Sequence, residues 1–144
     1  MKRALIAIFS GAMAFSALAQ STPVGLWRSS DDKTGEAKAE VRIAETAGGL
    51  SGKIEKRLLA SARPDELCSA CSDDRKGQPL LGLEIIRGAK KTPDAQVWEG
   101  GKILDPENGR SYTLKMTPTE DGKKLDVRGS FGPFGRTQTW VRIN

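Results

Sequence analysis

The sequence contains no histidine. Histidine is the general base of Ser-His-Asp and Cys-His enzymes and the commonest protein ligand of transition metals. Its absence excludes those catalytic classes and weakens any proposal of a zinc site. Cysteine is also scarce, with two residues in 144. After the N-terminal segment, no apolar stretch approaches the roughly 20 residues of a membrane-spanning helix.

The N-terminal segment has the features of an export signal. Lys2 and Arg3 precede an apolar stretch of small residues, and Ala17–Ala19 forms an A-x-A cleavage site. We predict that residues 1–19 are a signal peptide that is removed before Gln20. The mature chain, residues 20–144, would then be a single domain in the periplasm or outside the cell.

The positive charge depends partly on this signal. Loss of Lys2 and Arg3 lowers the 23 basic residues to 21 against 18 acidic ones, so the net charge falls from +5 to +3. The remaining charges are interspersed along the chain. Because nucleic-acid-binding proteins concentrate basic residues in patches, we predict no nucleic-acid partner.

The mature region has the pattern of an all-β protein. Residues 37–45 alternate between apolar and polar side chains, and turn signals such as Asp105-Pro106-Glu107-Asn108-Gly109 recur along the chain. We predict an antiparallel up-and-down β-barrel of about eight strands, because closure removes exposed sheet edges. The predicted strands cover residues 24–30, 37–45, 50–58, 80–87, 96–104, 111–117, 124–131 and 136–143.

Both cysteines lie in the one long connection, residues 59–79, as Cys68-Ser69-Ala70-Cys71. A redox site would need a thioredoxin-like βαβ setting, and the acidic neighbours would raise the thiol pKa. A zinc site would need two further ligands. We therefore predict a Cys68–Cys71 disulfide that fixes this loop and shapes access to a barrel mouth, with no metal and no cofactor.

Three polar residues of the predicted turn have a second interpretation. Asp105, Glu107 and Asn108 could belong to a calcium loop, and the two carboxylates could form a glycosidase pair. Asp, Pro, Asn and Gly are also the residues that this turn requires for its own conformation. We favour the turn and predict no catalytic residue.

The two ends of the mature chain carry a familiar pattern. Gly25-Leu26-Trp27, with Trp140 and Arg142 near the other end, resembles the G-x-W and terminal arginine signature of lipocalin-like, or calycin, barrels. The resemblance implies that a basic side chain covers the indole of the first strand. Trp27 with Arg142 is the candidate pair, and Arg136 is the alternative to Arg142.

Several separated motifs extend the resemblance. They are V-G-L-W-R-S-S-D-D-K-T-G at residues 24–35, the C-x-x-C loop, W-E-G-G-K-I-L-D-P-E-N-G-R-S-Y at 98–112, V-R-G-S at 127–130 and G-R-T-Q-T-W-V-R at 135–142. Together they are similar to the exported bacterial family called domain of unknown function 2147, over residues 23–143. The resemblance implies a lipocalin-like barrel in the envelope and supplies no activity.

An eight-stranded barrel can hold either packed side chains or one small ligand. We predict a small apolar or amphipathic ligand; the alternative is a packed barrel that binds a protein partner. Arg128 or Arg136 could pair with an acidic head group, or both could be exposed or belong to the tryptophan cap, and strand phase does not decide this. The candidate ligand residues are Trp98, Tyr112, Arg128, Phe131 and Arg136, and the other predicted wall residues are Val41, Ile43, Ile54, Leu83, Ile85 and Leu114.

Overall fold

A computed structural model describes residues 21–144. The predicted signal peptide lies outside the described residues. Eight antiparallel strands, each paired with the next in sequence, close into one barrel, so the all-β prediction is confirmed. The strands are β1 Gly25–Ser30, β2 Ala37–Thr46, β3 Gly49–Arg57, β4 Glu84–Lys91, β5 Trp98–Asp105, β6 Arg110–Thr119, β7 Lys124–Phe131 and β8 Phe134–Arg142.

Because neighbouring strands run in opposite directions, the connections divide between two ends of the barrel. The connections β1–β2, β3–β4, β5–β6 and β7–β8 lie at one end, which we call the open end. The connections β2–β3, β4–β5 and β6–β7 lie at the other, the closed end, together with the start of β1 and the finish of β8.

The half of the barrel next to the closed end is filled with large apolar side chains. Most come from an inward position that alternates with an exposed one, as Ile43 does with Arg42 and Leu114 with Lys115. Burial of one such aliphatic side chain stabilises the fold by about 1.5–3 kcal/mol. The fully buried members of this core include Trp27, Ile43, Ile86, Leu114, Met116 and Leu125.

Strand β4 begins at Glu84, so the predicted start at Leu80 is wrong. Leu80 donates its backbone N–H to Glu66 of the long loop, and Gly82 donates to Ile54 of β3. Gly82 also has a φ of 86°, a left-handed conformation that suits glycine and interrupts an extended strand. The apolar residues before Glu84 therefore complete the long loop.

The barrel seam between β1 and β8 is paired only near the closed end. Its register contains two pairs among the described residues, Trp27 with Arg142 and Arg28 with Val141. By contrast, β7 pairs with β8 over all eight of its residues. Towards the open end, the backbone of β8 therefore pairs with β7 on one side only.

Candidate ligand cavity and the two ends of the barrel

Trp27 and Arg142 plug the closed end. The indole of Trp27 is fully buried and donates from Nε1 to the carbonyl of Pro23 at 2.7 Å. The guanidinium carbon of Arg142 lies 4.2 Å from the centre of the indole ring, within the range of a cation–π contact. The same guanidinium donates to three carbonyl oxygens, those of Thr22 at 2.6 Å, Gly122 at 2.6 Å and Val24 at 2.8 Å.

This arrangement explains the glycine of the G-x-W pattern. Gly25 has a φ of 139°, and a Cβ atom there would collide with the guanidinium of Arg142. Burial lowers the pKa of Arg142, but an arginine remains charged at any physiological pH. The structure thus brings Gly25, Trp27 and Arg142 into one contact, whereas Arg136 lies at the opposite end of the barrel.

The open half contains a cavity of about 440 Å³ that reaches the solvent at the open end. Trp140 is buried at its wall, and its indole Nε1 donates to Oε1 of Gln138 at 3.0 Å. This volume is within the range of small-molecule sites, about 300–1,000 Å³. The apolar side chains of the wall come from six strands and are Ala39, Val41, Ile54, Ile85, Ile103, Leu104, Val127 and Trp140.

Charged side chains surround the mouth of the cavity. Lys38 of β2 forms an ion pair with Glu107 of the β5–β6 turn, with 3.0 Å between Nζ and Oε1. Arg136 of β8 forms a second pair with Asp32 of the β1–β2 turn, with 3.3 Å between Nε and Oδ2. The mouth is therefore polar, while the wall behind it is apolar.

Two further carboxylates at the mouth serve the turns that contain them. Oδ1 of Asp31 accepts the backbone N–H groups of Lys33 and Thr34, both at 2.9 Å. The hydrogen bond from the backbone of Thr34 is the main cause that lowers the pKa of Asp31. Oδ1 of Asp105 likewise accepts the N–H of Glu107 at 2.9 Å. No cluster of three potential metal ligands occurs within residues 21–144.

Aromatic side chains complete the mouth. Phe131 and Phe134 flank the β7–β8 turn and are 74% and 77% exposed, although both are among the cavity-lining residues. Tyr112 lines the same mouth, where its hydroxyl accepts a hydrogen bond from Nδ2 of Asn108 at 3.1 Å. The apolar wall thus continues to the surface between the charged pairs.

The five candidate ligand residues do not all lie at the cavity. Tyr112, Phe131 and Arg136 line the cavity. Trp98 lies near the closed end, in a separate depression with Leu50 and Ala89.

Arg128 lies on the outer surface of the barrel. Its neighbour in β7, Val127, is buried and faces the cavity, and Arg128 therefore points outward. Its Nη1 lies 3.5 Å from Oγ1 of Thr137, which also faces out between Arg136 and Gln138. The pairing of Gly129 with Arg136 fixes the phase that sequence alone left open.

The predicted wall residues are divided between the cavity and other parts of the core. Val41, Ile54 and Ile85 line the cavity. Ile43 and Leu114 instead fill the closed half, and Leu83 is buried where the long loop meets β4. Several lining residues were not predicted from the sequence, namely Asp32, Lys38, Ile103, Gln138 and Trp140. The alternation of Arg136, Gln138 and Trp140 along β8 was the available signal for two of them.

Cys68 and Cys71 lie at disulfide distance, with 5.4 Å between their Cα atoms, and both are buried. Their loop packs against the β5–β6 turn, where Sγ of Cys68 lies 4.0 Å from the carbonyl oxygen of Pro106. None of residues 58–83, all of them described, lines the cavity. The loop therefore supports the turn that forms one side of the mouth and does not cover the mouth itself.

Arginine–carboxylate pairs attach this loop to its surroundings. Arg75, only 5% exposed, donates to both carboxylate oxygens of Asp73 and to the carbonyl of Glu84. Arg87 of β4 donates to both oxygens of Asp74, at 2.9 and 2.8 Å. The side-chain hydrogen bonds from Arg75 lower the pKa of Asp73 to about 2, and those from Arg87 lower the pKa of Asp74.

A family model described as "Uncharacterized protein conserved in bacteria", domain of unknown function 2147, matches residues 25–142. The chain belongs to this family. The match extends from the glycine of β1 to the arginine that caps Trp27, so the family's region coincides with the barrel. Among the residues described, no helix is long and apolar enough to cross a membrane.

A comparison with solved structures found a similar protein of Helicobacter pylori that is described as belonging to the lipocalin family. The TM-score is 0.71 with 16% identity, over 84% of this chain and 82% of that one. At this identity the likeness shows the fold, which is lipocalin-like. A search of curated proteins found no match.

Proposed function

We propose that this family member binds one small apolar or amphipathic molecule in the cavity at the open end. The observation that carries the proposal is that the barrel is only half filled. Large side chains occupy the closed half, while a cavity of about 440 Å³ remains in the open half. The proposal assigns binding and no catalytic step.

The chemistry of the lining favours an amphipathic ligand. An apolar wall favours contact with hydrocarbon, because such contact removes apolar surface from water. The ion pairs Lys38–Glu107 and Arg136–Asp32 keep polar groups at the mouth. A ligand with an apolar body and a polar end would match both regions at once.

The cavity also bears on the alternative function, a packed barrel that binds a protein partner. That alternative expects an interior filled throughout by side chains, with recognition confined to the outer surface. The unfilled volume next to Trp140 favours the small-ligand proposal.

The direct test is to block the cavity. Ala39 of β2 faces it, whereas Ala44 of the same strand is exposed on the outer surface. We expect the neutral fluorescent probe N-phenylnaphthylamine to bind the wild type and Ala44→Phe equally. Ala39→Phe should weaken binding about tenfold or more, because the ring occupies ligand space. Absence of probe binding by wild type, or equal binding by all three proteins, would disprove the proposal.

We further propose that the protein acts in the bacterial envelope. The charged and apolar N-terminal segment with its A-x-A site supports export, and disulfides persist in oxidising compartments. The test is to express the full chain in a bacterium and determine the N-terminus of the periplasmic product. We expect it to begin at Gln20. Uncleaved protein confined to the cytoplasm would contradict the proposal.

A further inference from the structure

We propose that Arg136 and Gln138 form a carboxylate-binding subsite, and that the chain's own Asp32 occupies this subsite when no ligand is bound. The inference rests on the proposed function, ligand binding in the cavity, and adds the chemical class of the ligand's polar end. It also makes Asp32 an internal competitor of the ligand.

Asp32 lies where a carboxylate is held from two sides. Its Oδ2 is 3.3 Å from Nε of Arg136, and its Oδ1 accepts a hydrogen bond from Nε2 of Gln138 at 3.0 Å. Both partners are neighbouring inward positions of β8, and all three residues line the cavity. A carboxylate in this place therefore combines an ion pair with a hydrogen bond.

The amide of Gln138 is oriented so that its nitrogen can donate to a carboxylate. Its Oε1 accepts the indole N–H of Trp140 at 3.0 Å. Because an indole nitrogen can only donate, the oxygen of the amide must face Trp140 and the nitrogen must face the mouth. Gln138 is thus a preset donor for an anionic oxygen.

Asp32 can leave this place without breaking strand pairing. The backbone register between β1 and β8 ends at Arg28 and Val141, so Asp32 is joined to β8 through its side chain. The neighbouring Asp31 accepts the backbone N–H groups of the β1–β2 turn, and among residues 21–144 Asp32 accepts none of them. The turn would therefore keep its hydrogen bonds if Asp32 moved away.

Arg136 and Tyr112 keep unused hydrogen-bond donors at the mouth. Within residues 21–144, the two terminal nitrogens of Arg136 make no hydrogen bond, and Tyr112 accepts from Asn108 without donating its own proton. The neighbouring carboxylates are each engaged through one oxygen, since Oδ1 of Asp31 and Oδ1 of Asp105 hold turns and Oε1 of Glu107 pairs with Lys38. The terminal nitrogens of Arg136 are therefore available to an anionic group. A planar carboxylate also matches the fork of arginine.

The test compares dodecanoate with its neutral counterpart dodecanol, each displacing N-phenylnaphthylamine at about pH 8, where carboxylates are ionised. Wild type should prefer dodecanoate. Asp32→Asn should bind dodecanoate about three- to tenfold more tightly, because the competing charge is gone. Arg136→Gln should abolish the preference for dodecanoate. Affinity for dodecanol should stay constant throughout.

Two matched controls separate the subsite from general charge effects. Arg128→Gln removes an arginine from the outer face of the same hairpin, and Asp94→Asn removes an exposed carboxylate at the closed end. Both should behave as wild type. The inference is overturned if Asp32→Asn does not tighten dodecanoate binding, or if Arg128→Gln acts like Arg136→Gln.

The outcomes also distinguish this inference from the proposed function. If N-phenylnaphthylamine and dodecanol bind and Ala39→Phe blocks them, but dodecanoate has no advantage, the cavity stands and the carboxylate subsite is wrong. If none of the three molecules binds, the proposed function and the subsite both fail.

Discussion

The closed and open halves of this barrel share one strand pattern and differ in what fills them. In the closed half, inward positions carry large side chains such as Trp27, Met116 and Leu125. In the open half, inward positions include Ala39, Val127 and Gly129. The comparison shows that alternation sets the direction of a side chain, whereas side-chain volume decides whether the interior becomes a core or a cavity.

The arginines at the two ends of the barrel also differ in their contacts. At the closed end, the guanidinium of Arg142 donates to three carbonyl oxygens and lies against the face of Trp27. At the open end, Arg136 is largely exposed and pairs with Asp32 through one nitrogen. The closed end thus resembles a structural plug, and the open end retains unused binding capacity.

Removal of one aromatic ring from each half should give the largest difference in stability between the two halves. Trp27→Ala should lower the free energy of unfolding by about 3–5 kcal/mol, because it leaves a cavity in a packed region. Phe134→Ala removes a ring that is already exposed and should change the free energy of unfolding by less than about 0.5 kcal/mol. Denaturant unfolding measures both. Equal losses would contradict the division into a packed and an unfilled half.

An arginine from each end gives the second comparison. Arg142→Met keeps an apolar stem but leaves three carbonyl groups without their donor, and should cost about 2–4 kcal/mol. Arg136→Met should leave the midpoint of denaturation unchanged, since its ion pair is exposed to solvent. A larger effect of Arg136→Met than of Arg142→Met would reverse the assigned roles.

The disulfide should matter locally, in the long loop that supports the β5–β6 turn. Replacement of Cys68 and Cys71 by alanine removes a ring that spans a sequence separation of 3, which corresponds to about 2 kcal/mol. Hydrogen exchange should accelerate in residues 58–83 and little in β6–β8. Uniform acceleration across the barrel would show that the disulfide stabilises the whole domain.

Acidification should have the smallest effect on stability, and this effect should also arise in the long loop. The pKa of Asp73 in the folded protein, about 2, is below its ordinary value of 3.8 because of Arg75. Its contribution to stability is therefore present above pH 3.8 and is lost as the pH falls towards 2. Carboxyl NMR titration should show this low pKa, and Arg75→Met should return it towards the ordinary value. An unchanged pKa in Arg75→Met would exclude the arginine as the cause.

Much of the fold could be predicted because turn residues and strict alternation mark each strand; β7 has the predicted bounds, Lys124–Phe131. The start of β4 could not be predicted, because Leu80 and Leu83 are apolar for a reason outside the strand, namely their burial within the long loop that they complete. The site was harder still. The length of the turn between Arg128 and Arg136 could not be read from the sequence. Only the register of β7 with β8 shows which of the two arginines faces inward.

We expect a ligand to enter the open half and to leave the closed half untouched, and the three tryptophans report on this directly. We would record the indole N–H signals of Trp27, Trp98 and Trp140 by NMR while adding N-phenylnaphthylamine. The signal of Trp140, at the cavity wall, should shift in a saturable manner, while those of Trp27 and Trp98 stay in place. A shift of Trp27 or Trp98 without one of Trp140, or no shift at all, would contradict the account.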